Sequence, residues 1–334
     1  MKTHPPTPTR GPRGGHRHDR ALRLGTGRSP LAVTQSQWVG RRVSGLDARP
    51  VKLVEILTPG DTPGAASLSP GGTDGFVTPL REALLRGEAD MIVHSLTDLP
   101  AAPAPGLRLA AVPARGDPRD ALIYPGGRRL LDLPPGSRIG TGSACGTGSA
   151  RRMVELRRLG LPVTMVPMGG NVETRLHKLA AGEVDALILA AAGLDRIGRA
   201  ELITERIDPA LILPAPAQGA LAVECRDDDD ELIALLAQID DTGTRTAVEA
   251  ERAFLAALGA DRTAPVGALA RSVAPGVLSL EALAALTDDG DAIRVSGQSG
   301  TREGKLLGRG LAAVVLRVGM AGIGSGAAAR IAGR

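Results

Sequence analysis

The chain repeatedly alternates a short apolar run with a segment of helical length. This alternation is typical of layered α/β proteins whose strands are mostly parallel. The first repeat gives the clearest signals, because the apolar run at 22–25 is followed by Ser29 as a helix N-cap and by Pro30 at the first helical position. The same alternation continues through most of the 334 residues. The sequence therefore predicts an α/β fold.

The predicted elements fall into two similar sets and a final section. The first set has a strand at 51–57, a helix at 76–86 that Gly87 ends, and a buried strand at 91–93. The second set starts near Asp117 and comprises a strand at 138–140, a helix at 149–159, a strand at 163–166, a helix at 172–181 and a strand at 186–189. A strand at 218–224 is expected to return to the first sheet. Helices at 231–239 and 246–258 then lead to a section of strands and one helix. We expect two α/β lobes with a cleft and a smaller α+β unit.

The amino-acid composition narrows the classes of molecule that this chain is expected to bind. Aromatic residues make up 1% of the chain, which is too few for the stacking platforms that bind single-stranded nucleic acid. The net charge of +4 is explained as well by solubility as by the binding of small anionic ligands. Two cysteines do not make a disulfide framework, so we expect a reducing cytoplasm. The apolar stretch from Leu311 is interrupted by Arg317 and several glycines, so we expect no membrane span.

Two further segments bear on metal binding. Residues 1–20 are rich in Pro, Gly, His and Arg and are expected to form a disordered basic tail. His16 and His18 in that tail could bind a metal, but a flexible tail is the favoured interpretation. The acidic run at 227–231 is interpreted as the start of a helix, since acidic residues favour that end. We therefore predict no metal site.

Two arginines at the start of a predicted helix indicate an anion. Arg151 and Arg152 fall in the first turn after Ser149. The positive end of a helix dipole disfavours cations there by about 0.3–1 kcal/mol. This placement is unfavourable unless an anion lies between the guanidinium groups and the backbone N–H groups. The alternative is that both arginines lie on a solvated helix face.

A carboxylate follows the predicted strand at 91–93. Asp98 lies just past the carboxyl end of this strand, which is where open α/β sheets bind ligands. The alternative for Asp98 is a capping or turn residue. Arg175 lies on a predicted helix whose Leu176 faces the core, and a surface salt bridge from Arg175 to Glu173 or Asp185 remains open.

Taken together, the ordered segments resemble the porphobilinogen deaminase (hydroxymethylbilane synthase) family from about Leu22 to about Gly267. The matching blocks are HSLTDLP at 94–100, DPRDA at 117–121, GTGSARR at 146–152, GNVETRL at 170–176, AAAGL at 190–194, LPAPAQGA at 213–220, ECR at 224–226 and ERA at 251–253. Any one block is weak, but their number and order make the resemblance specific.

That family condenses four porphobilinogen molecules head to tail and releases ammonia at each step. The growing chain is held by a dipyrromethane that is joined to a cysteine through a thioether. The resemblance implies a cytoplasmic transferase of tetrapyrrole and heme biosynthesis. Its partners would be porphobilinogen and linear oligopyrroles, with no nucleic acid and no membrane, and it would act as a monomer.

The resemblance also implies a domain organisation. It implies two doubly wound lobes of the periplasmic-binding-protein type and a small α+β third domain. Domain 1 is expected over residues 21–113 and 220–237, domain 2 over 117–215, and domain 3 over 240–334.

The resemblance assigns roles to particular residues. Asp98 would be the acid/base carboxylate, because a carboxylate must assist ammonia departure and stabilise the cationic azafulvene. Each pyrrole carries an acetate and a propionate, so several guanidinium partners are needed. The residues expected to bind these carboxylates are Thr147, Ser149, Arg151, Arg152, Arg175, Arg196, Ser95, Gln35 and Gln218.

One departure from the family affects the cofactor. The family's cysteine stands just before an x-x-Pro-x-Gly turn, and here Arg262 precedes the turn at 263–267. An arginine cannot form a thioether, so we expect no covalent dipyrromethane at this position. Other cationic positions of the family are also replaced, by Gly27, Thr73, Thr97 and Gly169.

Two hypotheses follow. The first is a transferase that uses a noncovalently bound pyrrole or another attachment site such as Cys145. The second is a catalytically inactive relative that binds pyrrole carboxylates or other small anions.

Overall fold

The computed structural model describes residues 20–57, 74–142, 149–285 and 292–331. The strands are β1 (Leu22–Thr26), β2 (Val51–Glu55), β3 (Met91–Ser95), β4 (Leu107–Ala111), β5 (Asp120–Ile123), β6 (Arg138–Gly142), β7 (Thr164–Met168), β8 (Ala186–Ala190), β9 (Glu205–Arg206), β10 (Leu221–Arg226), β11 (Val266–Ala274), β12 (Val277–Ala285) and β13 (Ala292–Gly300). The helices are α1 (Pro30–Ser44), α2 (Asp74–Leu85), α3 (Ala150–Arg158), α4 (Val172–Ala180), α5 (Ala191–Arg196), α6 (Asp230–Ala237), α7 (Thr242–Ala257) and α8 (Gly304–Ile331).

Lobe 1 is built on a five-stranded sheet with the order β2-β1-β3-β10-β4. Strand β1 is parallel to β2 and β3, while β10 is antiparallel to both of its neighbours. The prediction that residues 218–224 return to the first sheet is therefore confirmed. The core between this sheet and its helices is aliphatic, with Leu24, Met91 and Val223 buried.

Lobe 2 repeats this arrangement with the order β7-β6-β8-β5-β9. Strand β6 is parallel to β7 and β8, and β5 runs antiparallel between β8 and β9. The equivalent antiparallel strand in each lobe follows directly after the chain has crossed from the other lobe. The predicted fold of two doubly wound, periplasmic-binding-protein-like lobes is confirmed.

The third domain is an antiparallel sheet, β11-β12-β13, covered by α7 and α8. The two helices pack at very close range. A Cβ added at Gly308 of α8 would lie only 2.3 Å from the backbone oxygen of Ala250 in α7. Helix α8 runs through glycines that the sequence analysis treated as interruptions. No helix in the described part of the chain is long and apolar enough to cross a membrane.

A buried carboxylate joins the two lobes to the third domain. Glu251 of α7 accepts hydrogen bonds from Arg115 Nη1 at 2.7 Å and Nη2 at 3.0 Å. It also accepts from the backbone N–H groups of Ala217 at 2.6 Å and Ala270 at 2.8 Å. Arg115 and Ala217 lie in the two chain crossings between the lobes. One side chain on α7 therefore holds both crossings against β11.

The amino-terminal segment is described from its last residue only. Residues 1–19 of the predicted basic tail, including His16 and His18, lie outside the described residues. Arg20 is described, and its Nη2 donates to Asp90 Oδ1 at 2.7 Å. Arg20 is therefore attached to lobe 1.

Candidate functional site

A cleft of about 270 Å³ lies where the two lobes and the third domain meet. Every predicted site residue within the described ranges lines it, namely Gln35, Ser95, Asp98, Ser149, Arg151, Arg152, Arg175, Arg196, Gln218 and Arg262. Thr147 lies outside the described residues. The cleft brings together side chains that are separated by more than 200 positions in the sequence.

Asp98 is positioned by the end of a parallel strand. Strand β3 ends at Ser95, and one turn of 3-10 helix, Leu96–Asp98, then brings Asp98 to the cleft. On one side, Gln35 of α1 donates from Nε2 to Ser95 Oγ at 3.2 Å. On the other side, Arg252 Nη1 donates to the backbone oxygens of Leu96 at 3.2 Å and Leu99 at 2.9 Å. The sequence pattern around Arg252, one of the matching blocks, does not indicate this contact.

Arg262 contacts Asp98 directly. Its Nη1 donates to Asp98 Oδ1 at 3.0 Å, and the side chains are 15% and 37% exposed, respectively. The loop that carries Arg262 is shaped by Asp261, whose Oδ1 accepts from the backbone N–H of Thr263 at 2.8 Å and from its hydroxyl at 2.5 Å. The residue at the attachment position is therefore an ion-pair partner of the candidate catalytic carboxylate, which the sequence analysis did not predict.

Two opposing effects act on the charge of Asp98. Burial raises the pKa of Asp98, whereas the nearby Arg262 and His94 lower it, and the net direction is upward. Since Arg262 favours the ionised carboxylate, removing its guanidinium would raise the pKa of Asp98 further. The protonation state of Asp98 therefore depends on where the Arg262 side chain lies.

The anion predicted beside Arg151 and Arg152 is supplied by the protein itself. Arg151 Nη1 lies 2.8 Å from Asp120 Oδ2, and Arg152 Nη2 lies 2.7 Å from Asp120 Oδ1. Asp120 is fully buried, and the two arginines are 4% and 6% exposed. The alternative of a solvated helix face is therefore wrong. Ser149 caps the helix by accepting from the backbone N–H of Arg152 at 3.4 Å.

The electrostatics of this cluster keep the Asp120 carboxylate ionised. Burial alone would raise the pKa of Asp120, but Arg151 and Arg152 hold it well below its usual range. Gln218, in the second crossing between the lobes, donates from Nε2 to Asp120 Oδ1 at 3.0 Å and to the backbone oxygen of Pro118 at 2.7 Å. One carboxylate thus faces two guanidinium groups, and the cluster keeps an excess of positive charge.

Two more arginines extend the positive surface of the cleft. Arg175 of α4 is 9% exposed, and burial together with Arg152 lowers its pKa to about 10. Its guanidinium passes so close to Gly142 that an added Cβ there would lie 2.2 Å from Cζ. Asp185, one of the surface partners considered for Arg175, binds Arg138 instead.

The remaining cleft arginine, Arg196, lies at the end of α5. It donates from Nη2 to the backbone oxygen of Gly219 at 2.6 Å. Burial lowers its pKa to about 10, against the opposing effect of Asp195. Both Arg175 and Arg196 stay protonated at neutral pH and can bind carboxylates. No group of side chains suited to a metal ion is found among the residues that the structure describes.

Replacing Asp120 by asparagine is expected to lower the free energy of unfolding by about 3–5 kcal/mol, because two buried cations lose their shared anion. Denaturant unfolding of the purified variant measures this loss. Asp132→Asn is the matched control, since Asp132 is exposed and does not line the cleft. A change in Asp120→Asn no larger than that of the control would show that the cluster does not contribute to stability.

The cysteines bear on whether a dipyrromethane can be attached. Cys225 is fully buried in β10, and burial raises the pKa of its thiol to about 12, so it is not a nucleophile. Cys145 lies outside the described residues. At the family's attachment position, the guanidinium of Arg262 occupies the space beside Asp98. The residues present there do not fit a thioether-linked cofactor.

Comparison with known proteins gives consistent matches over most of the chain. Residues 22–234 match the family model described as porphobilinogen deaminase, dipyromethane cofactor binding domain. Porphobilinogen deaminase 1 of Streptomyces coelicolor is 48% identical over 317 residues, which cover 91% of this chain and 98% of that protein. Porphobilinogen deaminase of Nocardia farcinica is 45% identical, with coverage of 89% and 86%. Among solved structures, the cofactor-binding domain of the Cbl transcriptional regulator is similar at a TM-score of 0.41 and 16% identity, covering 69% of this chain and 92% of that domain.

Proposed function

Because this chain belongs to the porphobilinogen deaminase family, we propose that it condenses four porphobilinogen molecules into hydroxymethylbilane with release of ammonia. It would act in tetrapyrrole and heme biosynthesis as a cytoplasmic monomer. Its partners would be porphobilinogen and linear oligopyrroles, without nucleic acid or membrane. The observation that carries the proposal is the convergence of Asp98 with arginines from lobe 2 in one cleft.

The proposed chemistry assigns one role to Asp98. As the carbon–nitrogen bond of porphobilinogen breaks and ammonia leaves, positive charge develops on the pyrrole ring, and the ionised carboxylate stabilises it. The α-carbon of the acceptor pyrrole then forms the new carbon–carbon bond, and the carboxylate takes up the proton that this carbon loses. Because Asp98 is 37% exposed, a substrate can reach it.

The arginines of the cleft would hold the ligand. The acetate and propionate of each pyrrole suit guanidinium groups, which bind carboxylates through two parallel hydrogen bonds. Arg175 and Arg196 belong to lobe 2 and line the same cleft as Asp98 of lobe 1. Polar atoms of Ser149, Ser95 and Gln35 also line the cleft. A carboxylated pyrrole chain would thus be bound along its edges while its reacting end lies at Asp98.

The residue at the cysteine position is the ground for the alternative hypothesis of a relative without turnover. The cysteine position holds Arg262, and this arginine forms an ion pair with Asp98 at 3.0 Å. A relative without turnover that binds pyrrole carboxylates or other small anions would keep the arginines and tolerate this pair. The two candidates differ in whether porphobilinogen is consumed.

A consumption assay separates the candidates. Purified protein is incubated with porphobilinogen, with and without added hydroxymethylbilane as a free acceptor, and porphobilinogen loss and ammonia release are followed together. We expect consumption that depends on the free acceptor, because the chain lacks the usual attachment thiol. The Streptomyces coelicolor relative serves as the positive control. Binding of porphobilinogen without loss or ammonia would support the second candidate.

A further inference from the structure

The Arg262 side chain connects two domains beside the cleft. It belongs to the loop after α7 in the third domain, and its contact with Asp98 in lobe 1 spans 164 positions of sequence. At 15% exposure the Arg262 side chain is largely covered but still borders the cleft. A ligand that enters the cleft therefore meets both members of the pair.

The pair is poorly suited to be a permanent contact. A carboxylate that stabilises a developing cation is less effective while a fixed cation already occupies it. The Arg262 guanidinium would have to leave Asp98 before catalysis. A ligand carboxylate is the natural replacement, because guanidinium binds a carboxylate with two parallel hydrogen bonds in a fixed geometry.

The charges around the cleft favour this exchange. Five guanidinium groups, those of Arg151, Arg152, Arg175, Arg196 and Arg262, surround it. They are opposed by the carboxylates of Asp98, Asp120 and Asp261. The excess is positive, so a ligand that brings several carboxylates can compensate it while Asp98 is released from Arg262.

We propose that Arg262 replaces the covalent tether of the family with an ion pair: its guanidinium binds a carboxylate of a free linear oligopyrrole and releases Asp98. This inference rests on the proposed function for the identity of the ligand. No bond to the protein forms or breaks in this step, and the ligand remains exchangeable. Without ligand, Arg262 remains paired with Asp98 at 3.0 Å.

Calorimetric binding tests the inference. The probe is a synthetic dipyrromethane that carries its four acetate and propionate groups but lacks an aminomethyl group, so it binds without reacting. Arg262→Met is expected to weaken its affinity about tenfold or more, as for the loss of a charge-assisted hydrogen bond. The affinity of Arg262→Lys should lie between those of the natural chain and Arg262→Met, because lysine keeps the charge but lacks the planar guanidinium.

A control variant, thermal unfolding and intact mass accompany the binding experiment. Arg157→Met removes one exposed arginine from α3, outside the cleft, and should bind the probe like the natural chain. Thermal unfolding of each variant shows whether it is folded, and Arg262→Lys remains informative if Arg262→Met is not. Intact mass of the natural chain after incubation with porphobilinogen should show no added pyrrole.

Two results would overturn the inference. One is an unchanged affinity in both Arg262 variants, and the other is a covalent pyrrole on the natural chain. These failures are distinct from a failure of the proposed function. If Arg262→Met binds normally and porphobilinogen is still consumed, the tether proposal fails alone. If the probe binding depends on Arg262 but no porphobilinogen is consumed, the transferase proposal fails alone.

Discussion

Replacing Arg262 by cysteine is expected to produce a protein that acquires a covalent pyrrole when it is incubated with porphobilinogen, whereas the natural chain acquires none. The new thiol would lie where the family has its cysteine, at the start of the 263–267 turn. Its sulfur can form a carbon–sulfur bond to the carbon that loses ammonia, which an arginine cannot do. The substitution also removes the guanidinium that pairs with Asp98 at 3.0 Å. This one substitution therefore removes two obstacles to covalent attachment of a pyrrole, the missing thiol and the guanidinium beside Asp98.

Intact mass before and after incubation measures the loading, which should rise from none to about one chain per protein molecule. Arg262→Ser is the matched control, because it has nearly the same shape as the cysteine variant but no sulfur. A loaded serine variant would place the attachment elsewhere, and peptide mapping would then examine Cys145. If the cysteine variant stays unloaded although it is folded, the cleft has lost more than its thiol, and the binding-only function gains support.

Local signals in the sequence predicted much of the fold. Ser29 and Pro30 predicted the start of the first helix, and α1 begins at Pro30 with Ser29 Oγ accepting from a backbone N–H at 3.2 Å. Residues 172–181 were predicted as a helix, and α4 spans Val172–Ala180. Such predictions succeed because capping and apolar periodicity act within a few residues.

The contacts that define the site could not be read from such signals. Asp120 lies in β5, a strand that the periodicity did not indicate, yet it supplies the anion between Arg151 and Arg152. The helix dipole indicated an anion at this place, but that a protein side chain supplies one depends on how the sheet of lobe 2 folds. Likewise, Arg262 was seen as a missing cysteine, because nothing within its own loop indicates Asp98.

The same limitation applies to glycines. The glycines after Leu311 interrupt the apolar stretch, but they do not end the helix, because α8 is continuous through them. In the described part of α8, Gly308 lets the helix approach α7 too closely for any side chain. Whether a glycine ends a helix or allows packing is decided by the neighbouring element, which a local pattern does not contain.

Replacing Asp98 by asparagine is expected to slow porphobilinogen consumption by about 10²–10⁴-fold, because the amide can neither stabilise a developing cation by charge nor accept a proton at neutral pH. The shape of the side chain is nearly kept, so the fold should be retained. Initial rates are measured with the free acceptor, or in the Arg262→Cys background if that background is the more active. Asp132→Asn is the exposed control and should keep the rate.

The pH profile of the same reaction gives a second, independent measurement of Asp98. Burial raises the pKa of Asp98 while Arg262 and His94 lower it. The rate should therefore fall on the acid side at a pH above the ordinary aspartate value of about 3.9. In Arg262→Cys the acid limb of kcat/KM, which reports the protein before ligand binds, should move to higher pH, because a cation that favoured the ionised form is gone. An acid limb that does not move, or an asparagine variant as active as the exposed control, would assign the essential carboxylate to another residue.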